Sequence, residues 1–197
     1  MPDVRAQLLN VIDEECLSVG SDFLLSTGIG SNFYFDCKKV TLNGRWLSLV
    51  VDLIIDEIRK LPQKPDAIGG LTIGADPIIS GVILKDPSIR GSIVRKDRKE
   101  HGTKNKIENQ LAPGTKVVVV DDVITSGSST KTACLELQES GYEIVGIIAL
   151  IDREAGGIDN LSKEFGHAVA LFKKSEFPKL QAPSLSANST TQRAAAY

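Results

Sequence analysis

What this 197-residue chain lacks excludes several classes of protein at once. No apolar stretch approaches the roughly 20 residues that a membrane-spanning helix requires, and no early segment joins a basic stretch to a long apolar core. A cytoplasmic location with no membrane partner is the expectation. The three cysteines, Cys16, Cys37 and Cys134, are odd in number and widely separated, with no C-x-x-C or other metal spacing. They read as reduced structural thiols. There is no internal repeat, and the formal net charge is only −2, which argues against a nucleic-acid partner. What remains is 42% hydrophobic and 24% charged, with a mean hydropathy of −0.02. That composition belongs to a soluble globular protein, and the length fits one domain with a substantial core.

Strand and helix signals alternate along most of the chain, the pattern of an α/β fold with a largely parallel sheet. Ala67 to Gly70, Ser92 to Arg95, Val117 to Val120 and Ile144 to Ile151 are short apolar runs, each followed by a loop or helix pattern. They are the expected central strands. Val4, Leu8, Val11 and Ile12 mark an amphipathic first helix. Trp46, Val50, Leu53, Ile54 and Ile58 repeat at helical spacing behind Asn43, a suitable cap. Beyond Pro178 the composition shifts to Ala, Ser, Thr, Gln and Asn, which bury little surface. The domain is therefore expected to span 1–177, with 178–197 a low-complexity tail.

The most specific stretch runs from Val117 to Thr130. Four valines end in Asp121 and Asp122, followed by Val123, Ile124 and a small, hydroxyl-rich loop of Thr125, Ser126, Gly127, Ser128 and Ser129. In a parallel sheet, ligands bind at the carboxyl ends of the strands. A helix N-terminus behind a loop of small residues attracts a phosphate dianion through its free amides. The triphosphate-binding spacing G-x-x-x-x-G-K-[ST] is absent. Two acids suit the vicinal hydroxyls of a ribose, and hydroxyls with amides suit its 5′-phosphate. A solvated turn, or a magnesium or phospho-acceptor site of another α/β fold, is the plainer alternative.

This run resembles the signature of the type I phosphoribosyltransferases: an apolar strand, two acids, then a Thr-x-Gly-Ser/Thr loop. The resemblance implies a central, mostly parallel sheet flanked by helices, a small N-terminal hood and a flexible catalytic loop. It further implies transfer of ribose 5-phosphate from phosphoribosyl pyrophosphate to a nitrogen base, with Mg2+ carried on the substrate and possible help from Asp121 and Asp122. Those two acids are expected to hold the ribose. Residues 123–129 are expected to hold the donor's phosphate.

Between Arg95 and Lys106 the chain carries six Lys or Arg against two acids. Charge runs are usually solvated faces. Next to a phosphate cradle, cations acquire a purpose, because a departing pyrophosphate gathers negative charge that they stabilise. Gly102 would let such a loop close and exclude water. Arg95, Lys96, Lys99 and His101 are similar to the catalytic-loop pattern Arg-Lys-x-x-Lys-x-His-Gly of the orotate phosphoribosyltransferases. In that family the loop reaches a neighbouring subunit, so the resemblance implies a homodimer with shared sites and Lys99 as the rate-sensitive cation. His167, beside an expected strand, reads as structural.

Phe23 to Asp36 is similar to the amino-terminal segment of the same enzymes. Phe33, Tyr34 and Phe35 concentrate aromatics in a chain that has few, and a planar pyrimidine gains stacking from such rings. Tyr34 and Phe35, with Thr125, are the expected orotate contacts. Arg153 is suited to grip the orotate carboxylate with two charge-assisted hydrogen bonds. The chain departs from the family at Ser26 and near Gly74, where many or some members carry lysine; Lys38 or Lys39 is the candidate replacement. A phosphoribosyltransferase for another base, or a non-catalytic phosphoribosyl pyrophosphate sensor, are the competing readings. Lys99→Ala is expected to depress turnover far more than donor binding, and mixing it with an inactive cradle variant should restore activity through shared sites. Unchanged turnover removes Lys99 from the chemistry, and no recovery despite subunit exchange removes the shared loop.

Overall fold

The computed structural model describes residues 3–24, 30–96 and 106–181. Helix α1 (Val4–Val11) runs through a π turn at Ile12–Cys16 into an antiparallel hairpin of β1 (Leu17–Leu24) and β2 (Gly30–Phe35). The short α2 (Lys38–Thr41) and the long α3 (Gly44–Ile58) follow. Then come β3 (Ala67–Leu71), α4 (Asp76–Lys85), β4 (Arg90–Val94), β5 (Ile107–Glu108), β6 (Lys116–Ile124), α5 (Ser128–Glu139), β7 (Glu143–Asp152), α6 (Gly157–Phe165), β8 (Ala168–Lys173) and α7 (Pro178–Gln181). The six-stranded sheet has the order β5-β4-β3-β6-β7-β8 and is parallel except at β5. No helix among the described residues is long and apolar enough to cross a membrane.

Strand β6 lies in the middle of this sheet because it has no polar face to offer water. Val118 and Val120 enter the core formed with α1, α3 and α4, while Val117 and Val119 enter the core formed with α5 and α6. All four are fully buried. At about 1.5–3 kcal/mol for each such side chain, this strand is among the main sources of stability. It also extends further than its valines suggest. The acids expected just beyond the strand lie within it, and Asp121, Val123 and Ile124 keep ladder register with β7. Cys16, Cys37 and Cys134 are all buried and unpaired, and burial pushes the Cys16 and Cys134 thiols up to about 12.

The hairpin lays one edge against the larger core. Phe35 is buried, Phe33 is partly buried, and Tyr34 turns outward to stack on Phe23 with ring centres 6.0 Å apart. The chain end departs from expectation. Residues 178–181, read from composition as the start of a tail, form a helical turn: Leu180 packs on the core and Lys179 Nζ donates to the Glu14 carbonyl at 3.0 Å. Phe177 just before it is fully buried. The rest of the expected tail, 182–197, lies outside the described residues.

Asn43 caps α3 as its position suggests, its Oδ1 accepting from Arg45 N at 3.1 Å and from Trp46 N at 3.5 Å. Behind the cap, Val50, Val51, Ile54, Ile55 and Ile58 form the buried stripe. Asn43→Ala is expected to cost about 1 kcal/mol in urea unfolding, and Asn43→Gly only a few tenths. Equal losses would mean that packing, not the cap, is what Asn43 supplies.

Candidate functional site

The two acids of β6 are neighbours in sequence and face opposite sides of the strand, as its pleat requires. Asp121 is buried on the α5 side, where Thr130 Oγ1 donates to its Oδ2 at 2.7 Å and the Asp122 N–H to its Oδ1 at 3.0 Å. Asp122 is half-buried on the other side and accepts from Val123 N at 2.9 Å. A matched pair of open carboxylates is therefore not what the fold builds. Asp122 is the accessible acid, and Asp121 ties the strand to the first turn of α5.

Gly127 caps α5 with φ of 83°, a conformation that glycine adopts without cost. Ser126, Ser128 and Ser129 are exposed, and Ser126 Oγ lies 3.3 Å from Ser128 Oγ. The first-turn amides of α5 have no helical acceptor and carry the positive end of its dipole. This arrangement can receive a phosphate. Ile124 does not face it: its side chain is buried, and its carbonyl accepts from Arg153 N at 2.9 Å. Val123 commits its N–H to Asp122. Both support the loop's shape, Val123 through its N–H and Ile124 through its carbonyl.

A second loop, after β3, closes on the accessible acid. A Cβ placed on Gly74 would stand 2.5 Å from Asp122 Oδ1, so a side chain there would require the carboxylate to shift. Thr72 Oγ1 donates to Asp76 Oδ2 at 2.7 Å, and Asp76 Oδ1 is buried without a hydrogen-bond partner. Of the two candidate lysines, Lys39 turns away to the Glu15 carbonyl at 2.8 Å. Lys38 pairs with Asp36 at 2.7 Å. That hydrogen bond, with lesser support from the Tyr34 and Asp122 charges, holds the Lys38 ammonium above its usual range.

On the far side of the cradle stands Arg153, buried to 7% exposure. Its Nη2 donates to Ser31 Oγ at 2.8 Å and to the Phe33 carbonyl at 3.4 Å, and its guanidinium lies 4.2 Å over the Phe33 ring. It makes no ion pair among the described residues, and its Nε is buried without a partner. Desolvation lowers its pKa. A buried cation with an unfilled donor is suited to a ligand carboxylate.

The chain is similar to known proteins over most of its length. Residues 38–168 match the family model described as the phosphoribosyl transferase domain. The orotate phosphoribosyltransferase of Aquifex aeolicus is 40% identical over 178 residues, which cover 87% of this chain and 96% of that one. The chain belongs to the orotate phosphoribosyltransferase family. Solved structures agree with the fold. The Mycobacterium tuberculosis orotate phosphoribosyltransferase in complex with Fe(III) dicitrate superposes with a TM-score of 0.77 at 28% identity, covering 89% of this chain and 99% of that one. The same enzyme in complex with 5-phospho-α-D-ribosyl 1-diphosphate gives 0.73 at 26% identity, with the same coverage.

Within this orotate phosphoribosyltransferase chain, the sequence-derived site residues fall into distinct groups. Asp122, Thr125, Ser126, Ser128 and Ser129 gather around the end of β6 with the turn at Gly127, and Arg153 is hydrogen-bonded to the same strand end. Arg95 lies at the end of β4, pairing with Glu108 at 3.3 Å, and Lys96 is exposed beyond it. Lys99 and His101 lie outside the described residues. Phe35, expected at the base, is only 4% exposed and packs on Phe177, so it cannot offer a face to a ligand; Tyr34, at 38%, can. The residues that sequence reasoning passed over are Ser31, which orients Arg153, and Thr130, which holds Asp121. Ser31 had a signal, its place in the amino-terminal motif.

Burial, and then the neighbouring Asp122 charge, push the Asp121 carboxyl up to about 7 from its ordinary 3.8, against the pull of the Thr130 hydrogen bond. Between those two values the folded chain holds more protons here than the unfolded one, so this group's contribution to stability is lost as pH rises through the window. Asp121→Asn removes the titration. Its stability relative to the parent should therefore increase from about pH 4 to about pH 7 in urea unfolding. A pH-independent difference would show that Asp121 is not the source.

Proposed function

We propose that this chain transfers ribose 5-phosphate from phosphoribosyl pyrophosphate to orotate, giving orotidine 5′-monophosphate and pyrophosphate in pyrimidine biosynthesis. The observation that carries the choice of base is Arg153, a buried guanidinium with no acidic partner among the described residues, bonded by its backbone to the last residue of the cradle strand. A base without a carboxylate would leave that charge uncompensated.

The hydroxyls and amides of residues 125–129 receive the 5′-phosphate, and Asp122 accepts from the ribose hydroxyls, with Asp121 bracing the strand beneath. Tyr34, exposed beside Phe23, and Thr125 border the base. As the bond from the anomeric carbon to pyrophosphate breaks ahead of attack, positive charge grows on the ribose ring, which the nearby carboxylate tolerates. The negative charge gathering on pyrophosphate meets the amides of the Gly74 loop, Lys38, and the basic segment that begins at Arg95 and includes Lys99 and His101.

The described residues contain no cluster of three or more His, Cys, Asp or Glu able to cage a metal. Mg2+ ordinarily binds through one or two carboxylates and the substrate's phosphates, which the half-buried Asp122 fits. When bound, Mg2+ would neutralise charge on the pyrophosphate. A homodimer with the basic loop shared between subunits is part of the same reading, supported by the resemblance of the Arg95 to Gly102 pattern. A cytoplasmic setting belongs to it too, in keeping with three unpaired cysteines.

Arg153→Ala is expected to raise the KM for orotate by about tenfold to a hundredfold, on the scale of a lost charge-assisted hydrogen bond, with the KM for phosphoribosyl pyrophosphate nearly unchanged. Pyrophosphate release measured across a panel of bases is the test. Equal losses for every base would rule out carboxylate recognition by this residue.

A further inference from the structure

Glu154, the residue after Arg153, has φ of 55°. A non-glycine side chain adopts that left-handed conformation seldom, and it persists only where the surroundings fix it. Two sets of contacts do so. Its N–H donates to Asp152 Oδ1 at 2.8 Å, and its carboxylate accepts from Ser175 N at 2.7 Å and Ser175 Oγ at 3.0 Å. Ser175 belongs to the 3-10 turn Lys174–Glu176 that joins β8 to α7.

The same stretch reaches the arginine by a second route. Phe177 is fully buried and meets Phe35 with ring centres 4.9 Å apart; Phe35 meets Phe33 edge-on at 5.8 Å; and the Phe33 ring lies under the Arg153 guanidinium at 4.2 Å. One chain segment thus sets both the backbone direction of Arg153 and the platform beneath its charged end. The segment is itself anchored, Arg5 Nη2 donating to Glu176 Oε2 at 2.5 Å and Lys179 N to Asp13 Oδ1 at 3.2 Å.

We propose that the segment 174–181 is a positioning element for base recognition, in which Ser175 through Glu154, and Phe177 through Phe35 and Phe33, hold Arg153 ready for the orotate carboxylate. The inference rests on the reading that Arg153 binds that carboxylate. A guanidinium fixed before the ligand arrives loses less side-chain freedom on binding, so its hold is tighter. Glu154 and Ser175 do not touch substrate and act only through the arginine.

Steady-state kinetics on the full chain test this with Arg153→Ala, Glu154→Gly, Ser175→Ala, Ser175→Thr and the double variant Arg153→Ala/Glu154→Gly. Glycine accepts φ of 55° without strain, so Glu154→Gly removes the carboxylate and not the backbone path. The expected result is a KM for orotate raised about tenfold in Glu154→Gly and about threefold in Ser175→Ala, with the KM for phosphoribosyl pyrophosphate within about twofold of the parent. Ser175→Thr restores the hydroxyl and recovers the parent value. In the double variant, kcat/KM for orotate falls no further than in Arg153→Ala alone. Additive losses, or a parallel rise in the KM for phosphoribosyl pyrophosphate, overturn the proposal. If Arg153→Ala raises the orotate KM while Glu154→Gly and Ser175→Ala leave it unchanged, only the positioning role fails. If Arg153→Ala itself leaves it unchanged, the carboxylate reading fails and the positioning role falls with it.

Discussion

A buried positive charge with no acidic partner among the described residues is the constraint around which the base side of this molecule is organised. Taking a guanidinium out of water costs several kcal/mol unless hydrogen bonds and polarisable surfaces replace the lost hydration. Here the replacements are Ser31 Oγ, the Phe33 carbonyl and the Phe33 ring. All three belong to the hairpin, so the hairpin has to be seated on the sheet for the charge to be tolerated. The Phe35–Phe177 contact seats it.

The donor side follows a different logic. Its parts are consecutive in sequence, and their arrangement comes from the burial of β6 on both faces. Val117 to Val120 leave the strand no freedom to rotate, so Asp121 is committed to Thr130 and Asp122 to the side where Gly74 approaches. Glycine at position 74 suits that approach, since a side chain there would displace the carboxylate.

These two kinds of organisation decide what could be read from the sequence. The strand, its acids, the hydroxyl loop and helix α5 form one run, and the resemblance of that run to a known signature was open to inspection. Asn43 as a cap and the stripe behind it were equally legible, because capping and helical periodicity are local. The separate duties of Asp121 and Asp122 were not, since adjacency in sequence conceals the alternation of a pleated strand. Phe33 and Phe35 were distinguished only by residues 120 or more positions away, Arg153 and Phe177. Composition alone placed residues 178–181 in a tail, because four residues with one leucine show no pattern until their docking site is known.

The spans of the contacts carry one more consequence. The cradle closes with the Asp121–Thr130 bond over nine positions, whereas the base side needs residue 153 to find residue 31, 122 positions away, and residues near the end to find those near the beginning. Closing long loops costs more entropy and takes longer than closing short ones. During synthesis the Asp121–Thr130 bond can therefore form while the later chain is still being made, whereas the Phe35–Phe177 contact must wait until residue 177 has emerged. In the finished molecule, a local opening at the chain's end would break the Phe35–Phe177 contact and leave the Asp121–Thr130 bond in place.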